Sequence, residues 1–157
     1  MIDLLLIILL IIANGLFAMS EMAVVSARKI RLQQRANDGD KRAKSALKLA
    51  QNPGRFLSTV QVGITLVSIL TGAVGGATLS DNLAVVLDDI PALAPYSGTL
   101  SFIIVVVGVT YLSLLVGELV PKQIALSNSE RIAGLIAAPM TRLARLASPI
   151  VSLLNAS

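Results

Sequence analysis

Glu118 lies in Gly117-Glu118-Leu119-Val120-Pro121-Lys122, at the end of an apolar run long enough to cross a bilayer. The run extends from about Thr99 to Val120 and holds no other charged residue. A carboxylate at that depth is costly unless something pairs with it, which marks it as functional. Pro121 strengthens the signal, because proline has no N–H to give the carbonyl four residues back. That carbonyl belongs to Gly117. One short motif therefore offers a carboxylate and a freed backbone oxygen, both ligands for a hard cation.

Other polar residues sit at membrane depth. Ser58, Gln61, Thr65, Ser68 and Gly72 step by three and four, so they share one helix face. That face is expected to look into the bundle. Most of it reads as small-residue packing between helices, with Ser68, near mid-span, the candidate ligand. Gly72-Ala73-Val74-Gly75-Gly76 reads as close packing, within a protomer or at a dimer seam. Earlier in the chain, Asn14 and Glu21 are seven apart and share a face. Glu21 is open between a functional carboxylate and a partner for Arg28, two turns on. Ser20 is open between a ligand and packing.

The depths of these groups do not agree at first sight. Glu118 is about 6 Å along a helix from Lys122, whereas Ser68 is about 20 Å from Arg55, at ~1.5 Å per residue. They agree only if the helices project unequally or Glu118 lies deeper; tilt and an unwound or π-bulged segment near Gly117 would supply part of the difference, and the sequence alone does not close the gap.

The elements that must position these residues are membrane helices. The chain has 157 residues, 55% hydrophobic and 14% charged, with a mean hydropathy of +0.81, far outside the soluble globular range. Three runs of spanning length occur, about 4–25, 56–79 and 99–120. The start, Met1-Ile2-Asp3, lacks the basic region of a signal peptide.

There is no cysteine and no histidine, so thiolate and imidazole metal sites are excluded. A bound metal must accept oxygen, which points to Mg²⁺, Ca²⁺, Mn²⁺ or an alkali ion. The same absence argues against an enzyme. The spans hold no base for a serine protease, no aspartate pair and no HExxH.

All 13 basic residues lie in 28–55 or 122–145. The N-terminal stub and the 80–98 loop hold only acids among their charged residues. The positive-inside rule then places the N-terminus outside and the C-terminus in the cytoplasm of a multi-pass protein of the cell (inner) membrane. A net charge of +4 implies contact with anionic lipid headgroups, not nucleic acid.

Asn37-Asp38-Gly39 is a turn signal, Asp40 can cap a helix over 41–51, and Asn52-Pro53-Gly54 would end it. Span one is expected to continue as a basic helix to about Ala36, giving a cytoplasmic juxtamembrane helical hairpin. Beyond Pro121, over about 123–157, Leu143, Leu146, Ile150 and Leu153 recur at helical spacing beside Arg142 and Arg145. That pattern predicts an amphipathic belt helix in the interface, kinked or segmented at Pro139 and Pro149. The arginines and prolines argue against a fourth span. The fold expected is all-α, one transmembrane domain over 1–157. Its end on an amphipathic segment suggests a module cut from a longer protein.

Three ordered motifs carry a family resemblance. Phe-Ala-Met-Ser-Glu-Met-Ala-Val-Val-Ser at 17–26 precedes a basic Arg-Lys-Ile-Arg-Leu at 28–32; Asn-Pro-Gly-Arg-Phe-Leu-Ser-Thr-Val-Gln-Val-Gly-Ile-Thr fills 52–65; Gly-Glu-Leu-Val-Pro-Lys fills 117–122. Together they resemble the transmembrane domain of the CorC/cyclin-M (CNNM) magnesium transporters over nearly the whole chain. The resemblance implies three transmembrane helices, a belt helix and a homodimer with a cation in each protomer. By motif match it implies Ser20, Ser68, Gly117 and Glu118 as ligands; the residue pattern itself places Asn14, Glu21, Thr65 and Pro121 in support. It implies Mg²⁺ as transported substrate. Several members are described as exporters that exchange Mg²⁺ for Na⁺, so Na⁺ enters as a candidate coupling ion. It also implies cytoplasmic CBS domains elsewhere in the full-length protein. The rival expectation is a membrane anchor or scaffold whose function lies in that cytoplasmic part, with Glu118 bonded to a hydroxyl such as Ser20 or Ser68.

Overall fold

The computed structural model describes the backbone of residues 2–156 and the side chains of residues 2–147. It is an all-α membrane protein with no strand among the described residues. Three stretches are long and apolar enough to span a bilayer: Ile2–Ser26, Gly54–Asp88 and Ala94–Ser127. The first is helix α1 (Ile2–Ser26). The second comprises α4 (Gly54–Val74), a π-turn (Gly75–Leu79) and α5 (Ser80–Asp88). The third comprises a short 3₁₀ turn (Ala94–Tyr96), α6 (Ser97–Leu114), a second π-turn (Leu115–Leu119) and α7 (Val120–Ser127).

Both later stretches outrun the apolar segments that announce them. At 35 and 34 residues they are about 50 Å long at ~1.5 Å per residue, against a ~30 Å hydrocarbon core. Their ends therefore stand beyond the hydrocarbon. Only 11% of the most apolar window of each is buried in the protomer, against 28% for α1. Helix α1 is the central helix, and the other two lean on it. Glycines set the approach: a Cβ built on Gly63 would lie 3.0 Å from the Phe17 ring, and one on Gly75 would lie 3.2 Å from Val109. Gly75 thus packs within the protomer, while Gly72 meets nothing within 4 Å.

Span one does not continue as a basic helix to Ala36. It ends at Ser26, Arg28 is extended (φ −74°, ψ 109°), and α2 (Lys29–Asn37) starts anew. The break lets α2 turn aside and bury Leu32 completely against the neighbouring helices. No glycine or proline marks it; the gain in packing overrides local propensity.

The hairpin forms as the turn signal predicts. Gly39 takes φ +91°, a left-handed conformation that suits glycine. Asp40 Oδ1 accepts from the Arg42 and Ala43 amides at 2.9 and 3.2 Å and caps α3 (Lys41–Gln51). Its other oxygen meets Arg35 at 2.7 Å. The Ala43 amide first, then the Arg35 guanidinium, hold its carboxyl below the ordinary aspartate value. A lowered folded value means that this stabilisation is present above the unfolded value and lost as pH falls through the folded one. Asp40→Ala should therefore speed hydrogen exchange at the first amides of α3 at neutral pH, whereas wild type should lose that protection only below the ordinary aspartate range. Equal protection in both at neutral pH would rule the cap out.

Helix α8 (Ser129–Ala156) is one helix, not segmented at Pro139 or Pro149. It is not among the stretches apolar enough to span. It packs across α3, α4 and the end of α1. Ser129 Oγ donates to the Ser26 carbonyl at 3.4 Å, and Arg31 approaches Glu130 at 4.0 Å. The main apolar core lies at this end of the molecule. It is built of Ala23, Leu32, Ala46, Phe56, Ala125 and Ala133 with their neighbours, so small residues let six helices converge.

Candidate functional site

The third span changes pitch where the carboxylate sits. Its π-turn covers Leu115–Leu119, and the Val120 N–H bonds the Leu115 carbonyl five residues back. A π-bulge is a single inserted turn that often marks a functional position. Here it diverts Val120 from the Val116 carbonyl, and Pro121 brings no N–H of its own. The carbonyls of Val116 and Gly117 thereby lose their usual donors four residues on. The helix nevertheless runs through Pro121 to Ser127, so Glu118 is deeper in the helix than an end at Val120 would place it. A π-bulged segment near Gly117 is one of the alternatives the depth comparison leaves open, and it is present.

Helix α1 supplies the other wall. Asn14 is 3% exposed, and its Nδ2 donates to the Gly117 carbonyl at 3.4 Å. Asn14 Oδ1 is buried with no hydrogen-bond partner among the described residues. Next to it, Gly15 lies under the proline: a Cβ there would be 3.0 Å from Pro121 Cγ and 3.4 Å from the Val116 oxygen. Gly117 answers from the other side, where a Cβ would be 3.3 Å from Asn14 Nδ2 and from the Ile11 oxygen. Two glycines and an asparagine thus bring the backbones of spans one and three together at the pitch change. Gly15 has no side chain to announce it. Its signal is the pairing Asn14-Gly15, set against Gly117 and Pro121.

Glu118 is half-buried, and its Oε1 accepts from Lys122 Nζ at 2.6 Å, one turn on. Its partner is thus an ammonium, not the Ser20 or Ser68 hydroxyl of the scaffold reading. Ser20 is buried on α1 and donates to the Leu16 carbonyl at 2.6 Å. Its oxygen keeps lone pairs for a cation. Glu21 is half-buried and makes no ion pair with Arg28 among the described residues; the break at Ala27 carries Arg28 off the helix.

The span-two stripe faces the other way from expectation. Phe56, Thr59, Val60, Val67 and Thr71 form the buried face of α4, whereas Gln61, Thr65, Ser68 and Gly72 are exposed on the protomer. The apolar and β-branched residues fit against α1, and the threonine hydroxyls are satisfied within their own helix, Thr71 donating to Val67 O at 2.7 Å and Thr59 to Arg55 O at 2.8 Å. Within one protomer the structure brings together Asn14, Gly15, Gly117 and Pro121, with Glu118 adjoining. It leaves Thr65 and Ser68 on an outer surface.

Residues 5–157 match the cyclin M transmembrane N-terminal domain. A UPF0053 protein of Synechocystis sp. is 57% identical over 155 residues, 99% of this chain and 35% of that protein. The polyamine export protein of Haemophilus influenzae is 37% identical over 130 residues, 81% of this chain and 29% of its own length. A Bacillus subtilis relative, UPF0053 protein YhdP, is 33% identical over 156 residues, 99% of this chain and 35% of its own. The chain spans about a third of the length of these relatives. The match runs through all three spans and the pitch change at Gly117, and the chain belongs to the cyclin M family as its transmembrane domain.

Proposed function

We propose that this domain carries Mg²⁺ across the membrane, outward, through a site at the Gly117–Glu118 pitch change. One observation carries the reading. At membrane depth, a carboxylate, carbonyls released by a π-turn and a proline, and the orphaned buried oxygen of Asn14 occur together. Mg²⁺ requires six oxygens near ~2.1 Å and gives up water reluctantly. Glu118 supplies charge, Gly117 and Asn14 supply dipoles, and Ser20 supplies a neutral oxygen. Ser68 joins as the span-two ligand, with Thr65 and Glu21 in support, once span two is turned inward or covered. Na⁺ is the proposed coupling ion. The basic residues orient the N-terminus outside and the hairpin and belt in the cytoplasm, where CBS domains of the full-length protein would act.

A second reading is an organic polycation. One relative is named a polyamine export protein, and Glu118 already holds a primary ammonium, that of Lys122. Thermal unfolding of the purified chain separates the readings. A cargo at a hundredfold excess over Kd stabilises by about 2.7 kcal/mol. Mg²⁺ should do so at constant ionic strength. Stabilisation by spermidine alone would favour the polycation, and a general salt effect alone would leave a scaffold.

We also propose that the domain works as a homodimer with one cation per protomer. The exposed Gln61, Thr65, Ser68 and Gly72 form a polar, small-residue strip on a membrane helix, costly against lipid. A two-fold copy is the simplest cover. Native mass spectrometry in mild detergent should show a dimer. A stable monomer that binds one ion would refute it.

A further inference from the structure

At the basic end of the molecule, away from Glu118, a cleft of about 880 Å³ opens between the end of α3, the start of α4 and the middle of α8. Lys48, Arg55, Arg142 and Arg145 line it, and no carboxylate does. None of the four makes an ion pair among the described residues, although Arg31, Arg35 and Lys122 each find one. The first turn of α4 opens on the same cleft through Gly54, Arg55 and Phe56. No side chain caps that turn, and the first bond of the helix runs from the Leu57 amide to the Pro53 carbonyl at 2.8 Å. Its earlier amides have no partner within the helix and carry the positive end of the helix dipole.

Four exposed like charges from three elements line one concavity. An anion there would offset their mutual repulsion, which solvent otherwise screens. Three guanidinium forks and free amides match the oxygens of a phosphate group. We propose that this cleft binds phosphate chemistry, either the phosphodiester of an anionic phospholipid headgroup or a soluble phosphate. Gly54 begins a membrane-spanning stretch, which puts the cleft at headgroup level, within reach of a lipid. Bound there, the anion ties the hairpin and the belt helix to span two.

The test is thermal unfolding of the full chain in neutral detergent, at constant ionic strength. The additives are phosphatidylglycerol, phosphatidylcholine, inorganic phosphate and chloride. Phosphatidylglycerol, inorganic phosphate or both should raise the midpoint by several degrees over phosphatidylcholine and chloride. A response to the lipid alone assigns the headgroup, and a response to phosphate assigns a soluble ligand. Arg142→Gln with Arg145→Gln should lose the response, and Lys29→Gln, outside the cleft, should keep it. If the double variant does not fold, Lys48→Gln should show a weakened response. Equal midpoints with all four additives, or a full response in both cleft variants, would overturn the site.

Discussion

Replacing Glu118 with Gln is expected to abolish saturable Mg²⁺ binding and leave the fold intact. The side chains of Glu118 and Lys122 are 36% and 31% exposed. Their pair is a partly solvated (i, i+4) contact, of a kind that contributes about 0–1 kcal/mol. Gln keeps the shape, and the Asn14–Gly117 contact does not involve the carboxylate. Binding depends on the charge far more. A unit charge pair at about 4 Å is worth on the order of 4 kcal/mol at an effective dielectric near 20, or about a thousandfold in affinity. Isothermal titration on both proteins is the check. Equal affinities would mean that Glu118 is no ligand and that its pair with Lys122 is structural.

The second large effect is expected at a residue with no chemistry of its own. Gly15→Val should destabilise the protein by about 1–3 kcal/mol, the usual range for overpacking a close contact, and should also weaken Mg²⁺ binding. A Cβ at this position would already press on the Pro121 ring at 3.0 Å. A valine would force spans one and three apart and pull Asn14 away from Gly117. Gly108→Val is the control, since a Cβ there meets nothing within 4 Å. The midpoints of thermal unfolding should separate the two. A Gly15→Val protein as stable as the control would show that the helices do not meet at this point.

Much of this architecture is legible in the sequence because bilayer physics is simple. Three apolar runs, a turn at Asp38-Gly39 and a cap at Asp40 each have a local cause, and each forms. The pitch change near Gly117 is legible only as one of several ways to reconcile the depths of Glu118 and Ser68, beside tilt and unequal projection of the helices. What escapes has a tertiary cause. The break at Ala27 has no proline or glycine; it follows from burying Leu32 against helices distant in sequence. The outward turn of Ser68 follows from which face of α4 fits α1, and that contest was won by Phe56, Val60 and Val67. Heptad spacing shows that a stripe shares a face but not which way the face points. Gly15 matters through the space it leaves, which is visible only once Pro121 is in place.

A cation is expected at the Gly117–Glu118 pitch change of each protomer. Crystals grown with Mn²⁺ in place of Mg²⁺ test it most directly, because Mn²⁺ takes the same oxygen ligands and scatters anomalously. One anomalous peak per protomer is predicted, in contact with the Glu118 carboxylate and the Gly117 carbonyl, with Lys122 displaced from Glu118. Anomalous density elsewhere, with Lys122 still bonded to Glu118, would mean that the carboxylate is not a cation ligand.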